Sequence, residues 1–340
     1  MIEIDGSHGE GGGSIIRTTI GLSAATGRAV RVKNIRKGRV QPGLKEQHLQ
    51  GIRAVSEFCN GKLKGAELGS SEITFEPGKE FSDKVRIRIE TAGSVGLALQ
   101  PTMIAAVAAC KEVKVEVNGG ATYGKWAPPI DFVEGVFSKI LGKMGYATEF
   151  EIKRHGFYPT GGAKVEVILK PPDVLKGLNL VEQGKIENAK GVSVASEDLQ
   201  KQKVAERQKI SARQEIFKQL KVSSNIKTAY LKTESTGSAI TLCLTTQKGG
   251  ILGSSQIGEK NLRAEIVGKQ AAQSLISDFQ GGATIDRHSL DQIIPFLLLS
   301  QFNSSLKFSE LTTHALSNIH VAEQFFSKKL KISEKMLFKQ

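Results

Sequence analysis

Apolar and polar positions recur in one order along the first half of the chain. Residues 2–4, IEI, alternate as a strand does. SIIRTTIGLSAAT follows, with Ile15, Ile16, Thr19, Ile20, Leu22 and Ser23 at near-helical spacing and Gly27 as the stop. AVRVKNI reads as a second strand. GLKEQHLQGIRAVSEFC reads as a helix that starts just after Pro42 and carries Leu44, Leu49, Ile52 and Val55 on one face. Two short strands close the unit near residue 77, so the order is βαβαββ. From about residue 84 the same order returns as KVRIRIE, VGLALQPTMIAAVAAC, VKVEV, PPIDFVEGVFSKILGKMG, ATEFEIKR and AKVEVIL. A third copy is legible near the C-terminus as LDQIIPFLLLSQ, SLKFSE, HALSNIHVAEQFF, KLKIS and MLFK, with its opening strand placed at LNLVEQ.

Between that strand and the rest of its copy lies a block of different texture: GVSVASE, a charged helix LQKQKVAERQKISARQEIFKQL, strands NIKTAYLKT and SAITLCLTTQ, and a helix AEIVGKQAAQSLISDF. The expected fold is therefore α/β (of the α+β kind). Three βαβαββ repeats form a large body, 1–182 and 280–340, and 183–279 form a smaller inserted α/β domain. Repeats of one unit share a core because each buries its helices on its own sheet and then on its neighbours.

Composition narrows the class without naming it. Of 340 residues, 39% are hydrophobic and 24% charged, as in a folded globular chain, and no apolar stretch is long enough to span a membrane. MIEIDGSHGEGGG lacks the basic start and apolar core of a signal peptide, so a cytoplasmic location is expected. Cys59, Cys110 and Cys243 have no C-x-x-C spacing and read as three buried apolar thiols. The formal charge of +13 suits a polyanionic partner, and equally a solubilising surface carried by Lys201, Lys203, Lys209 and the tail from Lys328 to Lys339. The long basic helix, which also carries Arg207 and Arg213, could contact RNA but reads first as a solvated helix face.

Candidate chemistry begins in the loop 6–13, GSHGEGGG, between the first strand and the first helix. Its backbone amides and the helix N-terminus make an anion cradle, and Glu10 is a carboxylate placed where a divalent ion could sit beside phosphate. No Walker loop or G-x-G-x-x-G spacing is present. Arg17, Arg36, Lys37 and Arg39 are basic groups suited to phosphate oxygens. Gln100 is an unexplained polar residue in an apolar helix. Six histidines are candidate nucleophiles or bases. His314 follows Thr312 and Thr313, capping residues, in the first turn of a helix, a position that fits a phosphoryl acceptor but is more often held by an ordinary capping-turn histidine. Its neighbour His320, six residues on, should not face the same ligand. The segment Arg287 to Gln292 offers a flat ring beside a carboxylate and an amide, a set that can stack on and hydrogen-bond a nucleobase.

DGSHGEGGGSIIRT, IRKGRVQPGLKEQHL, AGSVGLALQPT, APPIDF, RHGFYPTGG, RHSLDQ and THALSNIHVAEQF, in that order, resemble the RNA 3′-terminal phosphate cyclases over nearly the whole chain. The resemblance implies three steps: a histidine attacks the α-phosphorus of ATP, AMP passes to an RNA 3′-phosphate, and the 2′-hydroxyl displaces AMP to close a 2′,3′-cyclic phosphate. It assigns His314 as the nucleophile and Glu10 as the contact for a divalent metal, Mg or Mn. His288 and Pro128 would sandwich adenine, with Gln100, Ser289, Leu290, Asp291 and Gln292 around the nucleotide. Arg17, Arg36, Arg39 and Gln47 would hold the phosphates of ATP or of the RNA end. Many members carry tyrosine where this chain has His288, so stacking is expected without a hydroxyl contact. Three other readings share the architecture: a noncatalytic relative in ribosomal RNA processing, a basic RNA-binding scaffold, and an enolpyruvyl transferase. Monomer and homodimer are both open.

Overall fold

The computed structural model describes residues 1–339. The first unit is β1 (Ile2–Asp5), α1 (Gly13–Thr26), β2 (Val30–Lys33), α2 (Glu46–Phe58), β3 (Lys62–Lys64) and β4 (Ile73–Glu76). Its sheet runs β1-β2-β4-β3, with β1 and β2 parallel because α1 crosses over between them, and the other pairs antiparallel.

The second unit repeats this. β5 (Lys84–Ser94), α3 (Val95–Ala105), β6 (Val113–Ala121), α4 (Ile130–Phe132), a π turn (Val133–Phe137), α5 (Ser138–Lys143), β7 (Ala147–Arg154) and β8 (Lys164–Lys170) make a sheet in the order β5-β6-β8-β7.

The third unit opens with β9 (Asn179–Leu180), inside the LNLVEQ segment. A four-stranded sheet then intervenes, built from β10 (Ile186–Ser196), α6 (Val204–Leu220), β11 (Asn225–Leu231), β12 (Ser238–Thr246), β13 (Ile251–Ile257) and α7 (Ala264–Gln280), in the order β11-β10-β12-β13. The unit resumes with α8 (Arg287–Leu299), β14 (Ser304–Lys307), α9 (Thr313–Ala322), β15 (Leu330–Ser333) and β16 (Met336–Lys339). β9 pairs with β14 in parallel at Ser305↔Asn179 and Leu306↔Leu180, across the whole intervening block. The α/β fold of three repeats carrying a further α/β module is thus the observed one.

α1 lies at the centre, against α2, α3 and α9. Every residue from Ser14 to Ala24 is buried, which exceeds the one-faced pattern of a surface helix. Ile15, Ile16, Ile20 and Leu22 are at most 1% exposed, and each such side chain contributes about 1.5–3 kcal/mol by burial. One hydrophobic cluster joins all three repeats. A second gathers Ile216, Ile240, Leu242, Leu252 and Leu275 beneath α6 and α7.

Several expectations need correction. α2 starts at Glu46, later than Pro42 suggests, because Arg36 Nη1 donates to the carbonyls of Gln41 (2.6 Å) and Gly43 (2.9 Å) and pins the preceding loop outside the helix. Leu44 is buried from that loop instead. The charged helix α6 starts at Val204, after Lys203 in the left-handed region, so Lys201 and Lys203 precede it. Arg207 is tied to Glu265 of α7 at 2.8 and 3.0 Å. The apolar run after Ala105 tightens into a 3₁₀ turn ending at Cys110, whose φ of 47° swings it outward, so this thiol is exposed while Cys59 and Cys243 are buried. β13 is a further strand that the sequence pattern does not assign, because ILGSSQI lacks regular alternation and is flanked by glycines. Among the described residues no helix is long and apolar enough to cross a membrane.

Candidate active site

The glycine loop leaves β1 and lies along the first turns of α9. Glu10 meets His314, Gly9 meets Ser317, and His8 stacks on His320 with ring centroids 3.6 Å apart. His314 and His320 therefore both contact one element, contrary to their separation around the helix, because the loop runs lengthwise over the face between them. Gly9 has φ +58°, and a Cβ there would stand 2.6 Å from Ser317 Oγ. Only glycine meets both conditions without strain. At Gly13 a Cβ would fall 2.1 Å from His48 Nε2 and 2.9 Å from Arg17 Nη1, so the start of α1 is kept bare and faced by nitrogen atoms.

Glu10 links the loop to its neighbours. Its Oε2 pairs with Arg39 Nη2 at 2.9 Å and its Oε1 lies 2.9 Å from His314 Nδ1. The imidazole N–H is not aimed along that line, and Oε1 is buried without a formed hydrogen bond. Burial alone would raise this carboxyl, but His314 and Arg39 together outweigh it and hold Glu10 below its ordinary value. A buried carboxylate oxygen with unspent acceptor capacity suits a cation beside a phosphate. Ser14 Oγ and Ser317 Oγ are also buried without a partner in the same cradle.

Basic groups surround it. Arg17 is 6% exposed, and its Nε donates to Gln100 Oε1 at 2.8 Å, which explains the polar residue in apolar α3. Burial brings the Arg17 guanidinium down to about 10, countered by Glu10, so it stays charged near neutrality. Arg39 is exposed. Arg36 is spent mainly on its own loop. Gln47 Oε1 accepts from Ser94 N at 2.7 Å and so braces the start of α3 rather than standing free. His48, which the sequence did not single out, is buried at the cradle floor. Burial, then Arg17, Arg36 and Lys45, push it well below its ordinary value, leaving a neutral ring.

α8 and α9 bring their N-termini to one side of this cradle. Thr312 caps α9, accepting from Ala315 N at 3.0 Å, while its hydroxyl donates to Asp291 Oδ1. Asn318 Nδ2 donates to the Asp291 carbonyl at 2.8 Å and its Oδ1 accepts from Thr18 at 3.1 Å, locking α9 to α8 and α1. His314, the second residue of α9, keeps its side chain 47% exposed. His288, the second residue of α8, is exposed, and Gln292 lies one turn on with Nε2 donating to the His288 carbonyl at 3.3 Å. Ser289 and Leu290 are fully buried, with Ser289 Oγ donating to Asp286 Oδ2 at 2.7 Å, so their side chains face the protein. Pro128 precedes α4, whose Phe132 packs with Val136 on Gly253, and Gly253 N donates to Asp286 Oδ2 at 2.9 Å. β13 thus joins the Pro128 side to the His288 side. Among the described residues no group of three or more His, Cys, Asp or Glu side chains is clustered as a metal site.

A family model described as RNA 3′-terminal phosphate cyclase matches residues 8–332. The chain belongs to the RNA 3′-terminal phosphate cyclase family. Proteins named RNA 3′-terminal phosphate cyclase resemble it end to end. That of Methanopyrus kandleri is 40% identical over 340 residues, 98% of this chain and 96% of the relative. That of Archaeoglobus fulgidus is 39% identical over 331 residues, 97% of each. That of Pyrococcus furiosus is 41% identical over 328 residues, 96% of this chain and 94% of the relative. The cyclase family is one of ligase-type enzymes that use ATP as a substrate.

Proposed function

We propose that this cyclase-family member converts an RNA 3′-terminal phosphate to a 2′,3′-cyclic phosphodiester at the expense of ATP, with His314 as the covalent nucleophile. The observation that carries this reading is the approach of Glu10 to His314 Nδ1 at the N-terminus of α9, inside a cradle of glycines and cations. With the proton on Nδ1, the nitrogen nearer Glu10, the lone pair is on Nε2. That nitrogen attacks the α-phosphorus of ATP: the N–P bond forms, the bond from the α-phosphorus to the bridging oxygen breaks, and diphosphate leaves. An oxygen of the RNA 3′-phosphate then attacks the same phosphorus, and the N–P bond returns its electrons to His314. The neighbouring 2′-hydroxyl finally attacks the RNA phosphorus, losing its proton, and AMP departs. That last step is intramolecular and gains from proximity.

The chain's own groups have definable tasks. Arg17 and Arg39, with the bare N-terminus of α1, bind phosphate oxygens, and Glu10 orients the imidazole. His288 and Pro128 flank adenine, with Gln100, Asp291 and Gln292 beside the nucleotide. Ser289 and Leu290 act through the backbone and packing of α8. Glu10 would also hold a divalent metal, whose chemistry is to neutralise triphosphate charge.

The test is incubation with α-labelled ATP and Mg or Mn. Wild type is expected to yield an acid-labile protein–AMP adduct and to make a 3′-phosphate oligonucleotide resistant to phosphatase, leaving a 3′-hydroxyl one unchanged. His314→Asn should lose adduct by at least about 10³-fold, the scale for removing a covalent nucleophile. Equal labelling of that variant would sink the assignment. A wild type that binds RNA but never labels would favour the noncatalytic role in ribosomal RNA processing.

A further inference from the structure

Between β6 and α4 the chain exposes its one tryptophan. Trp126 is 95% exposed and holds φ +55°, a left-handed conformation unfavourable for a bulky residue. No packing gain accounts for that placement. Tyr158, 50% exposed, projects from the loop after β7, and Lys125 Nζ stands 5.9 Å from the Trp126 ring centroid and 5.1 Å from that of Tyr158. Beneath them Tyr123 and Phe157, each 1% exposed, stack at 4.6 Å and form a parallel bridge. The two loops are further stitched by Tyr123 N to the Gly156 carbonyl (3.1 Å) and Gly156 N to Thr122 Oγ1 (3.0 Å), and to the β11–β12 turn by Thr160 N to Ser235 Oγ (3.0 Å). Two exposed rings sharing one ammonium thus stand on a rigid buried base.

We propose that Lys125, Trp126 and Tyr158 form a platform for single-stranded RNA, on which bases near the 3′ end stack while the lysine meets the backbone. Aromatic faces with an interleaved cation suit a flexible polyanion carrying planar bases, and stacking tolerates any sequence. The net charge of +13 favours the same partner. The inference rests on the cyclase reading in one respect: Trp126 lies two residues before Pro128, the residue set against adenine, so a strand held there borders the nucleotide site.

Because Trp126 is the sole tryptophan, its fluorescence reports this surface without any turnover. Titration with a single-stranded 3′-phosphate oligoribonucleotide should quench it. Trp126→Ala and Tyr158→Ala should each raise the RNA KM for cyclisation about ten-fold, on the scale of one lost base stack. Trp126→Phe should recover most of that loss. Adduct yield from ATP without RNA should stay within about two-fold of wild type in all three. Unchanged fluorescence at RNA concentrations that saturate cyclisation overturns the platform. So does a Trp126→Ala effect confined to the ATP KM, which would make the ring part of the nucleotide site. Quenching by RNA in a protein that never labels with AMP leaves the platform standing and removes the cyclase reading instead.

Discussion

His288 and His314 occupy the same position, the second residue of a helix whose cap is a side-chain oxygen, yet the two helix ends differ in electrostatics. At α8 the cap is the fully buried Asp286, which accepts from His288 N (3.0 Å), Ser289 N (2.8 Å), Ser289 Oγ (2.7 Å) and Gly253 N (2.9 Å). Burial raises its carboxyl to about 6, against the pull of those hydrogen bonds. At α9 the cap is the neutral hydroxyl of Thr312, which takes one amide. At α8 a carboxylate is itself the cap and takes up the terminal amides, whereas at α9 the cap is uncharged and the nearest carboxylate, Glu10, comes from the glycine loop and is offset by Arg39, so the α9 amides stay open to an external phosphate on the proposed reading. On the proposed function, one helix start is a braced wall for a flat ring and the other a place to build up negative charge. The cap, rather than the histidine, separates the two.

The largest expected effect comes from making the second end resemble the first. Thr312→Asp keeps a good cap but fills the α9 terminus with a carboxylate, and protein–AMP formation should fall about 10²-fold, by like-charge repulsion on the scale of a lost transition-state contact. Thr312→Asn caps equally well without the charge and should stay within about five-fold of wild type. Equal rates in the two variants would mean that the field at α9 is not what distinguishes His314. A smaller effect is expected at the wall. His288→Ala should raise the ATP KM about ten-fold, the value of one stacking contact, with adduct still formed at saturating ATP, and His288→Phe should restore it. Loss of adduct at every ATP concentration in His288→Ala would give His288 a role in bond making and end the division of labour.

The repeats were legible because their strands alternate and their helices are either striped, as α2 is, or largely apolar all round, as α1 and α3 are. Even β9, only two residues long, was placed within LNLVEQ, since a missing first strand had to precede the insertion. What was not legible depends on side-chain contacts that the apolar pattern does not carry, most of them between residues distant in sequence. β13 carries no clear pattern, and its place follows from Gly253 packing on Val136 and holding Asp286. The start of α2 is set by a guanidinium gripping its own loop. Gln100 signalled a site by being polar in an apolar helix, and its partner Arg17 was itself a candidate from a cluster of cations. His48, Ser317 and the stacked His8 and His320 carried no such signal, because their meaning comes from a glycine loop laid along α9.

Asp291 tests the point where the two helix ends meet. It sits one turn after His288 on α8 and receives the hydroxyl proton of Thr312, the cap of α9. Burial raises it to about 7, more than the Thr312 hydrogen bond and the neighbouring His314 can lower it. An unfolded aspartate titrates at about 3.9. Between those values the folded chain binds a proton that the unfolded chain has released, so the stabilising contribution is complete below about pH 4 and is lost as pH rises through 7. Asp291→Asn cannot ionise and accepts the same hydroxyl through Oδ1. The difference between its Tm and that of wild type should therefore shift in favour of the variant from pH 5 to pH 8, by a few degrees for each kcal/mol. A difference independent of pH would show that the Asp291 carboxyl does not release a proton between pH 5 and pH 8 in the folded chain, and its burial between the α8 and α9 ends would then not set its charge there.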